Sequence, residues 1–366
     1  MAREFTKVGV VGLGTMGAGI AEVFARNGIA VVGIEPSADW LERGRDNLRR
    51  STDRAVSRGR LTADGQQEIL GRILLTTDIN ALADVDLAVE AVPERLDVKH
   101  AVFSELDQVC RPDAVLATNT SSLPVTRIAA KSRHPDRVVG MHFFNPATVL
   151  KLVEVIRTER TADGLAEDIA SLATRLGKVP VLVGDRAGFV ANALLFGYLN
   201  QAIKLAESGR AGYDEIDAAM TKGAGLPMGP FALLDLIGLD TAQEILLTIH
   251  AESGRPRHDP AQRLRELVAS GALGRKIGRG FYPYERAGSG ARTDRPADDA
   301  DDADDADVKA QQEIVEMLLR PHLDDAIRMR DSGYASATDI DNAMKFGCGY
   351  PRGPFELIEE LGLEKR

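Results

Sequence analysis

The run Gly12-Leu13-Gly14-Thr15-Met16-Gly17 constrains this chain more than any other stretch. It sits between an apolar strand, Lys7 to Val11, and a helical pattern, Ala18 to Asn27. In such a turn Gly12 bends the backbone, Gly14 lets it approach a pyrophosphate and Gly17 permits close helix packing, while the helix N-terminus faces the anion. A second strand, Ala30 to Ile34, delivers Glu35, which stands 23 residues after Gly12, where a carboxylate binds an adenosine ribose 2′-hydroxyl and repels a 2′-phosphate. The expectation is an α/β domain with a Rossmann-type doubly wound sheet that binds NAD, with Gly12, Gly14, Thr15, Met16, Gly17 and Glu35 at the dinucleotide.

Further buried-type strands follow at Ile73 to Thr77, Asp86 to Val92, Ala114 to Thr118, Val138 to Phe144 and Val179 to Val183. Ligands of such sheets sit at the carboxyl ends of the strands, which is where Glu94, Ser121 and His142 fall. The run Gly140 to Val155 reads as a strand, a turn forced by Asn145-Pro146, and a second β-rich run carrying Glu154. Two extended segments joined by a short turn bring His142 and Glu154 within reach. An imidazole titrates close to neutrality, and a carboxylate partner fixes its tautomer, so such a pair is a proton-transfer device. Between the second and third strands, the helical pair Asp39 to Arg58 and Thr62 to Gly71 is longer than a crossover needs and reads as an insertion over 38–72. Its basic face (Arg45, Arg49, Arg50, Arg54, Arg58) suits a phosphorylated ligand or simply solvent.

From Gly188 the pattern is helical only, which places a domain boundary near Asp185: 1–185 for the nucleotide-binding domain and 186–286 for a helical substrate and dimerisation domain. Asn192 falls in the first turn of that helical domain. Residues 287–307 read as an acidic, disordered linker. Ser208 to Leu239 aligns without gaps on Ser332 to Leu363, half of the positions being identical, so 308–366 is a partial second copy of the helical domain, with Glu316 standing where Asn192 does. Of the net charge of −10, seven negative charges come from Ala297 to Asp307, so nothing here resembles a nucleic-acid-binding face. The Asp repeat lacks the glycine and closing glutamate of a calcium loop, and no metal is expected. Cys110 and Cys348 read as reduced thiols. With no apolar run of membrane-spanning length and no signal-peptide pattern, the expectation is a cytoplasmic protein without a membrane partner.

These residues resemble the 3-hydroxyacyl-CoA dehydrogenase family, especially its bacterial 3-hydroxybutyryl-CoA members. The motifs that carry the resemblance are VGLGTMGAGIA, VEAVPE, TNTSSL, GMHFFNP with KLVEV, DRAGFVANAL, the block ending GAGLPMGPFALLDLIGLD, and GRKIGRGFY. The resemblance implies NAD-dependent oxidation of an L-3-hydroxyacyl-CoA, of short chain such as 3-hydroxybutyryl-CoA; the alternatives are a same-family enzyme acting on a sugar acid such as L-gulonate, and a non-catalytic NAD-binding protein. A hydroxyisobutyrate-type dehydrogenase would leave HFFNP unexplained. By the same resemblance His142 is the base and Glu154 its partner, with Ser121 and Asn192 on the substrate oxygens. It sets Glu94, Lys99, Asn145 and Lys276 around the nicotinamide end, and Ser51 with Arg58 on coenzyme A. Single-copy members dimerise through the helical domain, so a homodimer or an intrachain pseudo-dimer is expected.

Overall fold

The computed structural model describes residues 3–288, 290, 292–293 and 305–363, which form two compact units dividing between Phe189 and Val190. In the first unit the elements run β1 (Lys7–Val11), α1 (Thr15–Arg26), β2 (Ala30–Ile34), α2 (Ala38–Ser57), α3 (Ala63–Gly71), β3 (Ile73–Thr76), β4 (Leu87–Glu90), α4 (Leu96–Val109), β5 (Val115–Thr118), α5 (Val125–Ala129), β6 (Val138–Phe143), β7 (Leu152–Ile156), α6 (Leu165–Arg175) and β8 (Val179–Val183). They build one eight-stranded sheet in the order β3-β2-β1-β4-β5-β6-β7-β8. The first six strands in that order are parallel; β7 turns back antiparallel to β6, and β8 runs parallel to β7. β4, β5, β6 and β7 are buried along their whole length, as expected of a sheet covered on both faces.

The unit boundary lies four residues beyond Asp185. The reason is local: the Asp185 carboxylate accepts the Val125 and Thr126 amides at 2.7 and 2.6 Å, and the Phe189 ring packs beside His142, so both belong to the sheet domain. The expected insertion is present as α2 and α3. It is docked on the glycine turn, where Gly44 leaves room for Leu13 and the Asn47 amide donates to the Leu13 carbonyl at 3.0 Å.

The second unit is helical: α7 (Ala191–Glu207), α8 (Tyr213–Ala218) running into a π-turn (Ala219–Gly223), α9 (Pro230–Ile237), α10 (Leu239–Ser253), α11 (Gln262–Ala269), α12 (Asp305–Asp331), α13 (Ala337–Cys348) and α14 (Pro354–Glu360). Its two copies solve one local problem alike. Asp217 accepts the Phe231 amide at 2.8 Å and crowds Gly229; Asp341 accepts the Phe355 amide at 2.7 Å and crowds Gly353. They part company at the next acid. Asp235 is buried and gathers the Phe281 and Tyr282 amides and the Tyr284 hydroxyl, whereas its counterpart Glu359 is exposed.

The expected linker over 287–307 lies mainly outside the described residues, and its described ends are built into the structure. Arg292 stacks on the Tyr282 ring and pairs with Asp214 at 2.8 Å, and α12 begins at Asp305, three residues before the expected start of the second copy. A guanidinium with both a ring and a carboxylate to hold is fixed in a way that the Gly/Ser composition around it did not foretell.

Candidate active site

The glycine turn has the form that a dinucleotide needs. Gly12 adopts φ +89°, and a Cβ there would approach the Ala91 carbonyl oxygen to 2.8 Å; at Gly17 a Cβ would collide with the Gly12 carbonyl. At Gly14 a Cβ would meet nothing within 4 Å, so this is the open side of the turn. Gly14 caps α1 without any side-chain acceptor, and Gly14 and Thr15 are exposed, with Met16 half-buried beside them. The first-turn amides of α1 are therefore available to an anion. Glu35 directly follows β2 and accepts the Leu13 amide, and burial raises its pKa above the usual carboxylate value. Turn, helix end and carboxylate together fit NAD.

His142 and Glu154 face each other in the β6–β7 register, and their side chains meet: Nδ1 lies 2.8 Å from Glu154 Oε2. A carboxylate oxygen accepts, so Nδ1 carries the proton and Nε2 is left as an acceptor, 3.0 Å from the Ser121 hydroxyl. Both partners of the pair are buried, at 3% and 0% exposure, and the imidazole is flanked by the rings of Phe144 and Phe189 at 4.5 and 5.6 Å. Ser121 reaches this place because its loop is tied at two points. Asn119 Oδ1 accepts the Phe143 amide at 2.8 Å, fastening the loop to β6, and Glu94 Oε1 accepts the Ser121 and Ser122 amides at 2.9 Å and the Thr120 hydroxyl at 2.6 Å. Burial opposes the charge on Glu94, but the Lys99 ammonium and these donors outweigh it and hold the pKa at about 2.

The other expected site residues fall in several places. Lys99 is buried: it is 1% exposed and is held between Glu90 at 2.7 Å and Glu94 at 3.2 Å, so Glu90 is a member of the site that motif reading missed. Its signal was present as the first acid of VEAVPE, a charge at the end of a strand with no solvent to face. Asn145 is exposed in the β6–β7 turn. Ser51 and Arg58 lie seven residues apart, Ser51 half-buried on α2 and Arg58 exposed as its C-cap; Arg45 and Arg50 on the same helix are engaged by Glu42 and Asn47. Asn192 and Lys276 belong to the second unit, Asn192 half-buried in the first turn of α7 and Lys276 exposed and paired with Asp240 at 2.5 Å. Among the described residues no group of His, Cys, Asp or Glu could hold a metal, neither Cys110 nor Cys348 is in a disulfide, and no helix is long and apolar enough to cross a membrane.

Two family models match the chain: "3-hydroxyacyl-CoA dehydrogenase, NAD binding domain" over residues 7–186, and "3-hydroxyacyl-CoA dehydrogenase, C-terminal domain" over 188–284 and again over 314–365. A 3-hydroxybutyryl-CoA dehydrogenase of Mycobacterium tuberculosis is 46% identical over 288 residues, covering 78% of this chain and all of the relative. A 3-hydroxyadipyl-CoA dehydrogenase of Escherichia coli is 44% identical over 278 residues, 76% of this chain and 58% of the relative. The solved 3-hydroxybutyryl-CoA dehydrogenase of E. coli superposes with a TM-score of 0.88 at 32% identity, covering 98% of this chain and 92% of that one. With NAD as its cofactor, the chain is an NAD-dependent oxidoreductase and belongs to the 3-hydroxyacyl-CoA dehydrogenase family.

Proposed function

We propose that the enzyme oxidises a short-chain L-3-hydroxyacyl-CoA, such as 3-hydroxybutyryl-CoA, to the 3-oxoacyl-CoA. The observation that carries this reading is the relay Glu154–His142–Ser121, with Glu154 and His142 buried and the imidazole Nε2 accepting from the half-buried Ser121 hydroxyl at its outer end. NAD, when bound, supplies the hydride acceptor. An alcohol is too weak an acid to ionise unaided at neutral pH, so the 3-hydroxyl proton passes to His142 Nε2 as the C3 hydride departs. General-base assistance of this kind is worth roughly 10²- to 10⁴-fold. Glu154 balances the imidazolium that forms, and the Ser121 hydroxyl holds the substrate oxygen in line with Nε2. In the reverse direction the same imidazolium protonates the 3-oxo group. Asn192 joins the substrate-binding set, and Ser51 with Arg58 the coenzyme A contacts. The test is NADH oxidation with acetoacetyl-CoA, run beside NAD reduction with L-gulonate. Turnover of acetoacetyl-CoA alone supports the reading; turnover of gulonate alone, or of neither, overturns it.

We infer also that the second helical copy acts as an internal mate for the first and has no catalysis of its own. Tyr198 and His322 occupy equivalent positions, 124 residues apart, and their rings meet at 6.0 Å, as equivalent residues do on a two-fold axis. The contacts on either side correspond to within one residue. Cys348 Sγ lies 4.0 Å from the Ala191 carbonyl, and Val315, the equivalent of Ala191, lies against Gly223, the neighbour of Ala224, the equivalent of Cys348, where an added Cβ would meet Val315 at 3.0 Å. Glu316 replaces Asn192, so this copy lacks the expected substrate contact.

A further inference from the structure

Three charged side chains form a closed set under the Ser121 loop. Lys99 projects inward from α4 and divides its ammonium between Glu90 Oε1 and Glu94 Oε2. Glu90 is fully buried, and both of its oxygens are spoken for: Oε1 also accepts the Val92 amide at 2.8 Å, and Oε2 accepts the Thr118 hydroxyl at 2.7 Å. Glu94 turns Oε1 to the loop and Oε2 to Lys99. A single carboxylate would have sufficed to neutralise a buried lysine. With two, the set carries a formal charge of −1 at the carboxyl edge of the sheet, and Lys99 is pulled from both sides.

We propose that Glu90 is a positioning residue, which anchors Lys99 and through it fixes the Glu94 carboxylate and the loop that presents Ser121 to His142. The inference rests on the dehydrogenase reading above. Without the Glu90 charge, Lys99 is drawn wholly to Glu94 Oε2, and the loop hanging on Oε1 shifts with it. Without Lys99, the buried Glu90 carboxylate faces the half-buried Glu94 carboxylate with no cation between them. Without both charges the set returns to −1, and Glu94 keeps its loop contacts with neither a competing cation nor a second carboxylate beside it.

The experiment uses the full chain with Glu90→Gln, Lys99→Met and the double variant. NADH binding is read without turnover, by energy transfer from Trp40, the single tryptophan of the chain. Steady-state kinetics with acetoacetyl-CoA give kcat and KM. Glu90→Gln should lower kcat about tenfold at nearly constant acetoacetyl-CoA KM, Lys99→Met about a hundredfold, and the double variant should recover about tenfold over Lys99→Met, with NADH affinity following the same order. Losses that simply add, or Glu90→Gln indistinguishable from wild type, would overturn the proposal. If either Lys99 variant fails to fold, Thr118→Val decides, since it removes the hydroxyl that holds Glu90 Oε2. It should lower kcat in the same way as Glu90→Gln at an unchanged KM, and no change would count against the proposal. A wild-type protein that binds NADH yet leaves acetoacetyl-CoA untouched would refute the functional reading instead, and the NADH-binding pattern of the variants would still decide the role of Glu90.

Discussion

Replacing Glu154 with Gln isolates charge from shape. The amide is isosteric and still hydrogen-bonds His142 Nδ1, now 2.8 Å from a carboxylate oxygen, but it cannot balance an imidazolium. Glu154 is fully buried, and Phe144 and Phe189 flank the ring, so water is poorly placed to take over. Two unit charges about 4 Å apart interact by about 4 kcal/mol at an effective dielectric constant of 20, and at about 1.4 kcal/mol per factor of ten this sets a ceiling near 10³-fold. Part of that is retained by the amide hydrogen bond, so kcat should fall roughly 10²- to 10³-fold. The assay is NADH oxidation with saturating acetoacetyl-CoA, with NADH affinity from Trp40 energy transfer and a thermal melt to establish the fold. NADH affinity should be unchanged. If the folded variant turns over within about threefold of wild type, the imidazolium does not depend on Glu154 and the reasoning fails.

The remaining predictions concern other parts of the chain. Glu35 should impose a preference for NADH over NADPH, and Glu35→Ser should weaken it; equal kcat/KM for the two cofactors in the wild type would show that Glu35 does not meet the ribose. Glu94 has a folded-state pKa of about 2 against an ordinary 4.5, so its contribution to stability is complete above pH 4.5 and is lost as the pH falls toward 2. Its full size is roughly 3 kcal/mol, and Glu94→Gln should flatten the acid limb of the stability–pH curve; an unchanged limb would contradict this. Deleting residues 287–366 should expose the apolar face of α7 and yield a protein that is less stable, less soluble or newly dimeric, whereas an unchanged mass in solution, melting temperature and activity would refute the internal-mate reading.

The residues that could be read from the sequence are those whose position follows from local geometry. A strand, a turn and a returning strand bring His142 opposite Glu154 because antiparallel pairing conserves the sum of residue numbers about the turn, and Glu35 follows from the length of one βαβ step. What escaped depends on side-chain direction within an element whose pattern is ambiguous. Lys99 sits in a helix with both inward and outward charged residues, the Asp107 side chain buried against Arg137 and Asp97 and Glu105 exposed, and nothing in the spacing says that Lys99 turns inward to Glu90. Asp185 was placed at a boundary because the strand ends at Val183, yet its carboxylate caps the start of α5 some 60 residues earlier in the chain. β3, β4, β5 and β6 are one to three residues shorter than expected, as at Ala91 and Val92, where apolar residues continue past the last ladder bond, whereas β1, β2 and β8 have the expected bounds. The helix α11 went unassigned, its buried residues Leu264 and Leu267 being too few to stand out among the four charged or polar residues Gln262, Arg263, Arg265 and Glu266.

The central claim is that His142 carries the transferred proton. It is tested most directly by His142→Ala, measuring acetoacetyl-CoA-dependent NADH oxidation and NADH binding on the same preparation. The account predicts that kcat falls by roughly 10²- to 10⁴-fold while NADH binds as in wild type. Turnover near the wild-type rate in a variant that still binds NADH would contradict it.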